Sequence, residues 1–253
     1  MPRETELQVF PDLDALSHAA AGEFARLAGR ASETGTTFTV ALSGGSTPRR
    51  TYELLGTEYR DRVPWDSVQF FFSDERHVPP DHKDSNYGMA YRALLSRIPA
   101  PPWNAHRLAT ELEDPAQVAE YGDYILRQFF RVADGEVPRF DLIFLGLGAD
   151  GHTASLFPGS PALKETSRFV TSAWVESVRA HRITLTLPVI NRAAEVLFLV
   201  SGGEKAAILR EVLEGDAPAD RFPARAARPV DGRRLFYVDR AAAAQLRSEG
   251  SRS

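Results

Sequence analysis

What most constrains this chain is a set of short apolar runs, each breaking off at a small or polar turn before a helical pattern begins. Phe38–Leu42 runs into Ser43-Gly44-Gly45-Ser46-Thr47, and Val68–Phe72 into Ser73-Asp74-Glu75-Arg76. Residues 141–147 run into Gly148-Ala149-Asp150-Gly151-His152, and 196–200 into Ser201-Gly202-Gly203 with Lys205 close behind. Continuous apolar runs of this length suit strands buried on both faces, and their alternation with amphipathic helices predicts a mostly parallel sheet flanked by helices. Helices are expected over 14–30, with Leu16, Ala20, Phe24 and Leu27 on one face, and over 115–132, with Val118, Tyr121, Ile125 and Phe129 on one face. Another should start at Ser46 or Thr47 as cap, with Pro48 in its first turn, and two more span 87–97 and 204–213. Further strands are expected at 183–187 and 235–238, while 77–85 and 215–229 read as loops. With no long linker or repeat, 1–253 reads as a single α/β domain.

Composition narrows the function classes. The chain is 43% hydrophobic and 25% charged, ordinary for a globular protein. Its net charge of -4, without a concentrated basic run, argues against a nucleic-acid partner. The apolar runs are far too short to cross a bilayer, and residues 1–12 lack the apolar core of a secretory signal. Zero cysteines exclude disulfides, thiolate catalysis and thiolate metal ligation. A cytoplasmic protein with no membrane partner fits best.

In open α/β sheets ligands gather beyond the carboxyl ends of the strands. If the four runs are parallel neighbours, their four turns meet on one rim. Gly44-Gly45-Ser46-Thr47 joins a strand to a helix start, where exposed N–H groups attract anions; it is either a phosphate cradle or an ordinary tight turn. It has neither the Walker Gly-Lys-Ser/Thr nor the G-x-G-x-x-G spacing. His152, in a glycine-rich turn after the most apolar strand, is the candidate general base, since a neutral imidazole can take a proton from water near neutrality. Asp150 either orients it, contacts a sugar hydroxyl or fills a turn position. His18, His77, His82, His106 and His181 have no such context and read as structural or solvated. Asp74 and Arg76 sit just past a strand end, and Lys205 lies at a helix start, where a cation opposes the dipole and wants an anion nearby. Only three of the 30 basic residues are lysines, which adds weight to Lys205. No His/Asp/Glu cluster has metal-ligand spacing, and Ser43, Ser73 and Ser201 lack a nucleophile-elbow context.

These segments resemble the 6-phosphogluconolactonase family, within the larger group that includes glucosamine-6-phosphate deaminases. The matching stretches are ALSGGSTPRRTYELL from Ala41, FFSDERHVPPDHKDSNYGMA from Phe71 and DLIFLGLGADGHTASLFPGS from Asp141. HRITLTLPVINRA from His181, LFLVSGGEKAAILREVL from Leu197 and, more weakly, RPVDGRRLFYVD from Arg228 complete them. The resemblance implies a modified Rossmann-like fold of the NagB/RpiA/CoA-transferase type and hydrolysis of 6-phospho-D-glucono-1,5-lactone, the second step of the oxidative pentose phosphate pathway. It implies His152 as general base and places Gly44, Gly45, Ser46, Thr47, Asp74, Arg76, Arg182 and Lys205 in substrate- or phosphate-binding segments, with Arg179 in a more variable stretch. It implies no cofactor, no metal and no partner beyond a small phosphorylated sugar lactone, in a monomer or small homo-oligomer. Two alternatives stand beside it. Deaminases carry D-G-H-I-A-F-N-E-P, with a glutamate five residues after the histidine; here that position is Phe157. A non-catalytic sugar-phosphate sensor would be expected to add a DNA-binding module, and the roughly 35 residues before Phe38 are expected to hold one helix only.

Overall fold

The computed structural model describes residues 5–133 and 135–247. Its strands are β1 (Thr5–Phe10), β2 (Phe38–Leu42), β3 (Val68–Phe72), β4 (Asp74–Arg76), β5 (Leu142–Leu145), β6 (Val170–Val175), β7 (Ala180–Leu185), β8 (Glu195–Val200) and β9 (Arg233–Asp239). Six of them form one parallel sheet in the order β1-β9-β8-β5-β2-β3. The other three form a small antiparallel sheet, β4-β7-β6.

Burial explains the pairing. Every residue of β2, β5 and β8 is buried, as strands covered on both faces require. Alternate side chains then supply two cores. Val40, Leu42, Phe70, Phe144 and Leu199 pack under α1 (Leu13–Glu33) and α2 (Ser46–Leu55). Ala41, Phe71, Ile143, Phe198 and Phe236 pack on the opposite face, with α3 (Asn86–Ala90) lying outside it and α4 (Pro115–Phe130), α5 (Leu187–Arg192) and α6 (Ala206–Glu214) supplying the cover. Burying each large side chain is worth about 1.5–3 kcal/mol. Asp12 caps α1 by accepting from Ala15 N at 2.9 Å.

Several sequence expectations need correction. The expected face of α4 fails at one position: Val118 is buried and Ile125 and Phe129 pack against the core, but Tyr121 is exposed, and Ala119, Gly122 and Leu126 are buried beside them. Gly122 decides this, because a Cβ there would come within 2.8 Å of Leu108 and 3.3 Å of Val170 on β6. The N-cap of α2 is Gly45, not Ser46 or Thr47, and no side chain caps it. The expected helix 87–97 is the short α3 followed by a π-helical turn at Tyr91–Leu95. The region before Phe38 holds β1 as well as α1, and β6 and α5 were not anticipated.

Chain order around the sheet fixes where a ligand can enter. From β2 the chain steps outward to β3, then returns to β5 on the other side of β2 and proceeds through β8 to β9. The direction therefore reverses between β2 and β5, and a crevice opens there at the carboxyl ends.

Candidate active site

The four turns named from the sequence follow β2, β3, β5 and β8, which are contiguous in the sheet. They line one cleft of about 380 Å³, enough for a phosphorylated hexose-sized ligand. Gly44, Gly45, Ser46, Thr47, Asp74, Arg76, His152, Arg182 and Lys205 all face it. Two expected residues do not. Arg179 sits in an exposed left-handed turn with φ of 47°, and Val178 lines the cleft in its place. Asp150 lies behind His152, outside the cleft lining.

The β2–α2 turn is built for close approach. Gly45 adopts φ of 109°, which an L side chain rarely reaches, and no side chain caps the first turn of α2. Gly44 is required for a different reason: a Cβ there would fall 1.8 Å from Asn86 Oδ1. The buried Tyr52 pins the strand end, accepting from Ser43 N at 2.9 Å and donating to Ser43 O at 3.0 Å. Burial pushes the Tyr52 phenol far above its ordinary range, so it holds this hydrogen bond throughout the physiological range.

His152 is held by its own turn. Gly151 takes φ of 82°, Gly148 N donates to His152 O at 2.9 Å, and Ala224 N donates to Gly151 O at 2.9 Å. Asp150 Oδ1 lies 2.5 Å from His152 Nδ1 and accepts from His152 N at 3.1 Å. A carboxylate on Nδ1 selects the Nδ1–H tautomer and leaves the Nε2 lone pair for a substrate proton. Burial pushes the Asp150 carboxyl upward, but the hydrogen bond and charge of His152 outweigh it and hold it below the ordinary carboxylate range.

Two of the cations are brought together by the small sheet, and Lys205 follows β8. In the β4–β7 register Arg76 stands opposite Arg182. Among the described residues, none of Arg76, Arg182 and Lys205 forms an ion pair with a carboxylate. Burial, and after it the neighbouring Arg76, lower the Arg182 guanidinium from its ordinary value, and the nearby carboxylates of Asp74, Glu75 and Asp84 offset this only in part. Asp74, expected as a ligand contact, is occupied with protein donors: it accepts from Ser155 Oγ at 2.7 Å and from Asn86 Nδ2 at 3.2 Å. Glu75 beside it faces away and accepts from Arg76 N, Asn86 N and Tyr87 N at 2.8, 2.7 and 2.8 Å; burial pushes its pKa up against these donors.

Other contributors went unread in the sequence. Asn86 and Ser155 line the cleft and tie α3 and the His152 turn to Asp74. Asp239 organises the fourth turn, accepting from Ser201 Oγ at 2.5 Å, Gly202 N at 3.0 Å and Ala242 N at 2.7 Å. Its only sequence signal was a carboxylate ending a strand. The other five histidines lie outside the cleft lining; His77 contacts Leu112 O at 2.8 Å and His106 contacts Gln69 Oε1 at 2.8 Å.

An α/β scaffold that gathers cations, helix-start amides and a carboxylate-held imidazole at its switch point defines a class of sugar-phosphate-handling proteins. Comparison with known proteins places the chain within that class. Residues 11–236 match the family described as glucosamine-6-phosphate isomerases/6-phosphogluconolactonase, and the chain belongs to that family. A 6-phosphogluconolactonase of Synechocystis sp. is 43% identical over 209 residues, 83% of this chain and 85% of that protein. The structure of a 6-phosphogluconolactonase from Trypanosoma cruzi superposes with a TM-score of 0.85 at 30% identity, covering 98% of this chain and 99% of that one. A monomeric glucosamine-6-phosphate deaminase shares the fold, with a TM-score of 0.79 at 21% identity over 95% of this chain and all of that one. Among the described residues, no helix is long and apolar enough to cross a membrane, and no group of three or more His, Asp or Glu side chains could hold a metal ion.

Proposed function

We propose that the chain is a 6-phosphogluconolactonase, hydrolysing 6-phospho-D-glucono-1,5-lactone to 6-phosphogluconate in the oxidative pentose phosphate pathway. The observation that carries the reading is the 2.5 Å Asp150–His152 contact on the rim of a cleft whose three cations have no ion-paired carboxylate among the described residues.

Arg182, Arg76 and Lys205 hold the phosphate dianion, with the amides at the start of α2. His152 Nε2 takes a proton from water as the water oxygen bonds to the lactone carbonyl carbon. Positive charge and turn amides at the rim stabilise the oxyanion. Its collapse breaks the bond to the ring oxygen, which takes the proton back from the imidazolium and leaves as a hydroxyl. The new carboxylic acid then releases its own proton to solvent. Asp150 stays ionised and stabilises the transient imidazolium. General base action of this kind is typically worth about 10²–10⁴-fold, which suits an already electrophilic lactone carbonyl.

A deaminase needs an acid group beside the histidine. At that point the chain has the buried ring of Phe157, stacked on His152 at 4.0 Å. The test runs two assays on one preparation: lactone hydrolysis coupled to 6-phosphogluconate oxidation, and ammonia release from glucosamine 6-phosphate. Turnover in the first alone is expected; turnover in the second alone would overturn the reading.

A further inference from the structure

His152 is gripped on more sides than a general base strictly needs. Asp150 Oδ1 fixes Nδ1. The Gly148 backbone lies against the Nδ1–Cε1 side of the ring, where a Cβ would come within 2.0 Å of Nδ1 and 2.2 Å of Cε1. The Phe157 ring stacks on the imidazole, centroid to centroid 4.0 Å and 22° from parallel. Phe157 is itself buried, at 6% exposure, and lines the cleft. Among the described residues Nε2 has no hydrogen-bond partner.

These contacts do different things. A hydrogen bond fixes one atom, and a ring held only there still swivels, because the terminal torsion of histidine is broad. A flat aromatic surface fixes a plane. The strand-like turn that places Phe157 also explains how it gets there: Ala154 takes a left-handed φ of 48°, and Leu156 N closes the turn on Thr153 O at 2.9 Å. Ser155 in the same turn is tied to Asp74. The chain therefore returns Phe157 under the imidazole on a braced loop.

We propose that Phe157 is a positioning residue: its ring sets the plane of His152 so that Nε2 points at the water. It acts through His152 and so rests on the base assignment above. Loss of the plane with apolar volume retained should lower kcat, since small misplacements of a reacting group cost one to two orders of magnitude, and leave phosphate binding intact.

The experiment compares Phe157→Met, Phe157→Leu and Phe157→Tyr with wild type and His152→Gln. Lactone turnover is measured together with binding of 6-phosphogluconate and the ring ¹⁵N spectrum of His152. Phe157→Met and Phe157→Leu should lose about ten- to hundredfold in kcat with KM within about twofold. Phe157→Tyr, which keeps the plane, should stay within about threefold of wild type. Ring ¹⁵N shifts should report the Nδ1–H tautomer in wild type and in Phe157→Met alike, because Asp150 still holds Nδ1, so that the loss of kcat is one of orientation and not of tautomer. Wild-type kcat in Phe157→Met with His152→Gln inactive overturns the positioning role alone. A raised KM with unchanged kcat does so too, making Phe157 a substrate contact. An active His152→Gln overturns the base assignment instead. Should one variant fail to fold, the other apolar variant and the tyrosine carry the comparison.

Discussion

Two clusters of arginine sit at opposite ends of the same parallel sheet, and they are built in opposite ways. At the amino ends of β8 and β9, Arg233 meets Glu195 at 2.9 Å, Glu6 at 2.7 Å and Glu23 at 3.3 Å, while Arg26 meets Glu23 at 2.7 Å. The hydrogen bond to Glu6, ahead of the opposing cost of burial, raises Arg233 above its ordinary value, and that from Arg26 holds Glu23 below the usual carboxylate range. At the carboxyl ends, Arg76 and Arg182 face each other with Lys205 across the cleft, and no carboxylate pairs with any of them among the described residues. There burial lowers Arg182. One cluster is neutralised by the fold and serves it. The other has no ion-paired carboxylate among the described residues, and in the proposed reaction the substrate phosphate takes that place. Residue type alone does not separate them; partners do.

Removing one arginine from each cluster should therefore have opposite effects. Arg182→Ala removes a charge-assisted contact worth about 1.5–3 kcal/mol, so KM for the phosphorylated lactone should rise roughly ten- to hundredfold while the melting temperature holds or rises. An unchanged KM would mean that the unpaired cations do not bind the substrate. Arg233→Ala at the other end should do the reverse. It leaves the buried Glu195 with only the longer Arg26 contact at 3.5 Å, and should cost about 1–2 kcal/mol, a fall in Tm of roughly 2–4 °C per kcal/mol, with kcat/KM at 25 °C unaltered. A catalytic defect in that variant would blur the division.

The smallest effect concerns acid. Asp150 has a folded-state pKa below its unfolded value, so its contribution to stability is complete above about pH 4 and fades as pH falls through the folded value. Because the carboxylate is substantially exposed, the contribution should be no more than about half a kcal/mol. Melts of wild type and Asp150→Asn between pH 5 and pH 3 should therefore converge towards the acid end.

The same contrast governs how much the sequence revealed. β2 and β3 were legible residue for residue, since an unbroken apolar run ending in a turn leaves a strand little choice. β1 was not. TELQVF is almost wholly exposed, and its ladder partner, β9, lies more than two hundred residues away. β4 was missed because three charged residues become a strand only by pairing with β7. In the site, Gly44, Arg76, His152 and Lys205 could be found from their places just past strand ends. Arg182 could not, as it arrives from the antiparallel sheet, and only family resemblance pointed to it. Asn86 and Ser155 were hidden because their place is set by hydrogen bonds to Asp74, which no local pattern encodes. Arg179 was expected in the site but stands on an exposed turn one residue past the one that lines the cleft.

In the proposed reaction the imidazole that its own turn holds does the chemistry, and the cations bind the substrate. Turnover of freshly made 6-phosphogluconolactone by His152→Ala, corrected for spontaneous hydrolysis, tests it most directly when 6-phosphogluconate binding is measured on the same protein. If His152 is the base, kcat falls by about 10²–10⁴-fold with product binding close to wild type. Near-normal turnover in His152→Ala would contradict it.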